Sequence, residues 1–254
     1  MRGIVSSMIE ELAERLDGAQ LNAEDTPSLA DTHEIDIDQA YEIQQAVVDR
    51  RLARGETLTG VKLGFTSEAK MAQMGVSEVI VGRITDGMAH VQDSLIDISR
   101  YIHPKVEPEI AYRLARDVDG SVPIESCVDA VAAAVEIIDS RYRDFRFTYT
   151  DVVADNTSAA GYVIGPWQEF GDVNNRSVRL EVGSAEVTGS TSAILGDPAR
   201  ALTALEEVAK RRGIELRAGY VILAGAATAA IPLTPGPVEC RIDGLGAVSF
   251  IGES

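Results

Sequence analysis

The chain has 254 residues, 45% of them hydrophobic, and its 40 acidic against 23 basic side chains leave a formal charge of −17. That length suits one large domain, or a main domain with a small appendage, around a sizeable core. The acidity argues against nucleic acid and anionic membrane surfaces as partners, and Cys127 and Cys240 are too few and too far apart for a disulfide framework or a zinc site.

Glu10, Glu11, Glu14 and Asp17 break any apolar secretory signal in the first 20 residues, and no run of about 18 apolar residues occurs, so a cytoplasmic protein is expected. Met8, Ile9, Leu12 and Leu16 recur at helical spacing and predict a helix from Ser6 to Leu16, ending near Gly18. A second predicted helix, Ile37 to Ala53, turns Ala40, Ile43, Val47, Val48 and Leu52 inward. Residues 1–58 thus read as an N-terminal helical lid or packing segment, and 59–254 as the catalytic domain. From Gly60 onward, short β-rich runs punctuated by glycine predict strands at 60–64, 79–82, 107–114, 161–165, 178–187, 220–226 and 237–250. Helices are predicted at Ser67–Met74, Val128–Ile138 and Pro198–Arg212. Without a regular βαβ rhythm, the expected class is α+β, with a mixed, curled β-sheet roll. Asp243-Gly244, set in alternating apolar and polar residues, marks a closing hairpin.

Chemistry concentrates in a few places. Glu107 and Glu109 are two apart, so on a strand they share a face at a spacing of roughly 6.6 Å. Glu136 interrupts the apolar run Ala132–Ile138, where a lone buried carboxylate costs several kcal/mol unless compensated. A divalent cation could compensate all three acids, and an all-carboxylate set suits Mg2+ or Mn2+ rather than zinc. The alternative is a solvated edge strand bearing Glu107 and Glu109, with Glu136 paired to Arg141. Lys62, between Val61 and Leu63 and flanked by Gly60 and Gly64, either meets an anion and serves proton transfer or points outward. The polar cluster Asp151–Ser158 either presents N–H groups and hydroxyls to a carboxylate or forms a plain Asx turn. Gly225–Ala230, which includes Thr228, allows close approach of a substrate but lacks a phosphate-loop lysine. No G-x-S-x-G elbow exists and His33, His90 and His103 are scattered, against a Ser-His-Asp triad. Paired acids also suit glycoside hydrolysis, but 5% aromatic content with one Trp offers few sugar platforms.

The segments Gly60–Ser67, Ala69–Val76, His103–Ile110, Glu136–Tyr142, Val153–Asn156 and Gly244–Gly246 resemble, in collinear order over nearly the whole chain, the 2-hydroxypentadienoate hydratase and 4-oxalocrotonate decarboxylase family of aromatic meta-cleavage pathways. That family has the fumarylacetoacetate hydrolase-like fold. The resemblance implies a divalent metal, Mg2+ or Mn2+, on Glu107, Glu109 and Glu136, and an essential Lys62. It places Asp155 and Ser158 in the site with Asp86 nearby; Arg141 and Thr228 are further candidates for substrate contacts. Asp139-Ser140-Arg141-Tyr142 followed by Phe145-Arg146-Phe147 looks more like the decarboxylases, whereas Ala159-Ala160-Gly161 stands where they often carry an arginine. The implied reaction is decarboxylation of 2-oxohex-3-enedioate to 2-hydroxypenta-2,4-dienoate and CO2. Alternatives are hydration of the latter to 4-hydroxy-2-oxopentanoate and a noncatalytic, partner-stabilising subunit. A homo-oligomer, or a complex with a companion hydratase or decarboxylase, is the expected assembly.

Overall fold

The computed structural model of the chain describes residues 2–67, 71–72 and 75–254. Most of the helix predicted over Ser67–Met74, including residues 68–70 and 73–74, lies outside the described residues. Helix α1 (Arg2–Asn22) runs past the expected stop at Gly18. Leu16 and Ala19 on either side are buried, and no backbone break accompanies the glycine, so apolar burial carries the helix onward. Helix α2 (Ile37–Ala53) has the predicted bounds. Its start is fixed by a capping box: Gln39 N donates to Asp36 Oδ1 at 2.9 Å and Asp36 N to Gln39 Oε1 at 3.0 Å. The two helices share a small core with Ile80, Tyr142 and residues 152–154.

The rest is mixed sheet. Nine strands form the larger one, along the path β2 (Ile80–Thr85), β1 (Leu58–Gly64), β11 (Val221–Ala226), β5 (Lys105–Leu114), β6 (Val128–Ile138), β7 (Ala159–Ile164), β3 (Ala89–His90). Short strands β12 (Ile231–Pro232) and β8 (Gln168–Glu169) attach to β5 and β6. A second, five-stranded sheet runs β10 (Ala185–Ser190), β9 (Ser177–Val182), β13 (Gly236–Ile242), β14 (Gly246–Glu253), β4 (Leu95–Asp97). The single strand expected over 178–187 is therefore a hairpin, turned at Gly183, whose φ is 56°. The hairpin at Asp243-Gly244 joins β13 to β14 as predicted. Helix α4 (Ala199–Arg212) also matches its prediction and stops at Gly213, left-handed at φ 66°.

The helix predicted at Val128–Ile138 is instead strand β6, at the centre of the large sheet. Alanine's helix preference loses to burial on two faces: Val131, Ala133, Val135 and Ile137 enter the main core, while Ala132 and Ala134 enter a second one on the opposite side. That period-two split between branched and small residues is a strand signal.

Short helix α3 (Tyr149–Ala154) leads into Asn156, Thr157 and Ser158, which are all left-handed, with φ of 48°, 58° and 57°. The side chain of Asn156 clamps this segment to β2: Arg83 N donates to its Oδ1 and its Nδ2 donates to Arg83 O, each at 2.8 Å. Gly82 makes that approach possible, since a Cβ there would sit 2.6 Å from Asn156 O. Gly82→Ala should therefore lower stability by about 1–3 kcal/mol, measured as a fall in denaturation midpoint.

Candidate active site

Strand alternation turns Glu107 and Glu109 to one face of β5, and the antiparallel register sets Glu107 directly opposite Glu136 on β6. All three are buried, at 5%, 1% and 1% exposure. One carboxylate oxygen from each lies within 4.8 Å of the others. Glu109 Oε2 accepts a hydrogen bond from Gly225 N at 2.5 Å, while its Oε1 is buried with no hydrogen-bond partner among the described residues. Burial, then repulsion from Glu136 and Glu107, raises the Glu109 pKa well above the ordinary range, and Lys62 and the Gly225 N–H offset this only in part. Gly225 has φ 125°, and a Cβ there would meet Thr66 Oγ1 at 2.1 Å, so only glycine brings this N–H to the acid.

Lys62 on β1 points inward at 3% exposure. Its Nζ is 3.0 Å from Glu136 Oε2 and donates to Thr157 O at 3.1 Å. The solvated edge strand and the Glu136–Arg141 pair, both open from sequence, do not occur. Glu136 pairs with Lys62, and Arg141 pairs with Asp155. Three buried carboxylates, one with an orphaned oxygen, form the donor set that a hard divalent cation takes. They fit such an ion.

A cavity of about 280 Å³ opens beside this cluster. Its polar end carries Lys62, Glu107, Thr157 and Ser158, and its walls include Ile80, Ile138, Phe145, Phe147 and Val152. The sequence directed attention to Ser158, Lys62 and Glu107 but missed the apolar walls. The alternation Phe145-Arg146-Phe147, in a chain with 5% aromatics, was the available signal.

The remaining candidates fall elsewhere. Asp155 and Arg141 are buried at 1% and 2% exposure and do not line the cavity. Arg141 binds the Asp155 carboxylate and carbonyl and donates from Nη1 to Ala159 O at 3.1 Å, so the pair holds the ends of the 156–158 turn. Burial pushes the Asp155 carboxyl up to about 7 against the opposing pull of Arg141. Asp86 is exposed and accepts hydrogen bonds from Thr57 N and Oγ1 at 2.9 and 2.7 Å, a turn contact away from the cavity. Thr228 donates to Ala229 O at 3.0 Å and does not line the cavity either. Asp86 and Thr228 thus lie outside the cavity lining, the first bonded to Thr57 and the second to Ala229 O.

No helix among the described residues is long and apolar enough to cross a membrane. No protein-family model matches the chain. It is 47% identical to a 4-oxalocrotonate decarboxylase of a Pseudomonas species, over 95% of this chain and 97% of that one. It is 35% identical to a 2-keto-4-pentenoate hydratase of Paraburkholderia xenovorans, over 96% and 95% of the two. The structure of 4-oxalocrotonate decarboxylase from Pseudomonas putida G7, complexed with magnesium and adipate, superposes with a TM-score of 0.92 at 34% identity, over 98% of each chain. With its curled mixed sheet of the fumarylacetoacetate hydrolase-like type, the chain belongs to the family of 4-oxalocrotonate decarboxylases and 2-keto-4-pentenoate hydratases.

Proposed function

We propose that the chain is a metal-dependent lyase that decarboxylates 2-oxohex-3-enedioate to 2-hydroxypenta-2,4-dienoate and CO2. The observation that carries this is the buried Glu107–Glu109–Glu136 cluster, with Lys62 on its edge, at the end of an apolar cavity. Those three acids would hold a divalent cation, Mg2+ or Mn2+, which when bound supplies Lewis-acid polarisation of the 2-oxo group. Lys62 keeps a proton at Nζ, aimed by Glu136 and Thr157 O, next to where negative charge gathers on the 2-oxo oxygen. Ser158 offers its hydroxyl to the adjacent C1 carboxylate. Phe145, Phe147, Ile138 and Val152 exclude water from the carbon chain, which favours loss of CO2 over addition of water. Asp155 and Arg141 act at one remove, by fixing the turn that carries Thr157 and Ser158.

Hydration of 2-hydroxypenta-2,4-dienoate is a second function, favoured by one feature. Lys62 is the only cation among the described cavity-lining residues, and a monoacid needs no second one. Leu95 and Ile251, paired neighbours on the edge of the five-stranded sheet, are exposed apolar side chains that suit assembly with a second copy or a companion enzyme in the cytoplasm.

CO2 release from the diacid with Mg2+, abolished by EDTA, is the expected result, whereas consumption of the monoacid dienol without CO2 selects hydration. Lys62→Met should lower kcat by roughly 100-fold or more while the protein stays folded by circular dichroism. An unchanged kcat would remove Lys62 from the chemistry, and no turnover of either substrate by the wild type, even with Mg2+, would select the noncatalytic alternative.

Glu109 and Asp155 both hold protons to higher pH in the folded chain than in the unfolded one. Their stabilising contribution is complete below the ordinary carboxylate range and is lost as pH rises through the raised values, near pH 7 for Asp155. The EDTA-treated protein should therefore lose thermal stability as pH climbs from about 4 to beyond 7. Mg2+ should restore it, with a gain in Tm that grows with pH because the cation takes the deprotonated acids.

A further inference from the structure

A six-carbon diacid placed with its 2-oxo end at the acid cluster carries its second carboxylate toward the apolar end of the cavity, where an anion needs a counter-charge. Strand periodicity supplies one. Lys105, Glu107 and Glu109 lie on one face of β5 in steps of roughly 6.6 Å, on the order of the span of a six-carbon chain. Lys105 is paired across the ladder with Ile138, which lines the cavity. Its Nζ stands 4.0 Å from the ring centroid of Phe145, a second lining residue.

Elimination leads to the same side chain. Arg113 on β5 pairs with Asp129, and on the 141–146 segment Arg141, Arg143 and Arg146 pair with Asp155, Asp25 and Asp31. Lys105 has no ion pair among the described residues, and its ammonium rests on an aromatic face. Phe145 itself is held in a left-handed conformation, φ 54°, after Asp144 at φ 58°. A bulky residue adopts that conformation only when its surroundings impose it. The His103 ring packs against the same phenyl at 4.7 Å between centroids. Phe145 is thus fixed as a wall shared by the cavity and the lysine.

We propose that Lys105 is the specificity residue for the substrate's distal carboxylate, its ammonium passing from the Phe145 ring to the anion. This rests on the decarboxylase function above, since a monoacid presents nothing for Lys105 to bind. It also gives this chain a cation for the diacid although Ala159-Ala160-Gly161 provides none.

The test compares wild type, Lys105→Met and Lys105→Arg in Mg2+, by calorimetric affinity for adipate and for hexanoate, together with diacid turnover. Methionine keeps the apolar stem and removes the charge. Adipate affinity should fall roughly tenfold to a hundredfold in Lys105→Met, with hexanoate unchanged, KM for the diacid raised more than kcat is lowered, and most of the loss recovered in Lys105→Arg. Unchanged adipate affinity, or equal weakening of both ligands, overturns the assignment. The affinities need no turnover. A wild type that binds adipate through Lys105 but releases no CO2 would overturn the decarboxylase function, and with it the role in that substrate's specificity, while leaving Lys105 as the carboxylate-binding group.

Discussion

Three carboxylates buried within 4.8 Å of one another are the constraint around which this molecule is organised. At about 4 Å, each pair of unit charges repels by about 1 kcal/mol in water and about 4 kcal/mol at an intermediate dielectric. A fold that places them at the centre of its main sheet must neutralise them. Among the described residues, the Lys62 ammonium beside Glu136 and the Gly225 N–H on Glu109 offset that repulsion, burial beside the other two acids raises the Glu109 pKa, and Glu109 Oε1 has no hydrogen-bond partner. A hard cation would complete the set, and the repulsion among the acids would become affinity for the ion.

The neighbouring structure follows from that need. Lys62 on β1 reaches Glu136 on β6, three strands away along the path β1-β11-β5-β6, and its aim is set by the carbonyl of Thr157. Thr157 is in turn held in a left-handed turn by the Asn156 clamp on one side and the Arg141–Asp155 pair on the other. A β-branched residue disfavors that conformation, so the turn persists only through its buried hydrogen bonds. The helices α1 and α2 contribute by packing on Val152, Val153 and Ala154, the helix that precedes this turn.

Much of this was legible in the sequence because it depends on local periodicity. The i, i+2 spacing of Glu107 and Glu109, the helix Ile37–Ala53 and the Asp243-Gly244 hairpin each follow from neighbours in the chain. What was not legible depends on partners distant in sequence. Val128–Ile138 reads as an alanine-rich helix until β5 and β7 are known to flank it. Glu136 faces Lys62 rather than Arg141, and Asp155 faces Arg141 rather than a substrate, because strand order decides which charges meet. Asp86 turns to the backbone and hydroxyl of Thr57, 29 residues away, and Thr228 to the carbonyl of Ala229. The apolar lining of the cavity comes from separate segments around Leu63, Ile80, Ile138, Phe145, Val152 and Ala226, and no single stretch of sequence displays it.

Diffraction from crystals of the protein soaked in Mn2+, with an anomalous difference map, tests the central claim most directly. One peak is expected within coordination distance of an oxygen from each of Glu107, Glu109 and Glu136. A map with no peak between those three side chains, from crystals in which Mn2+ is bound elsewhere or not at all, would contradict the account.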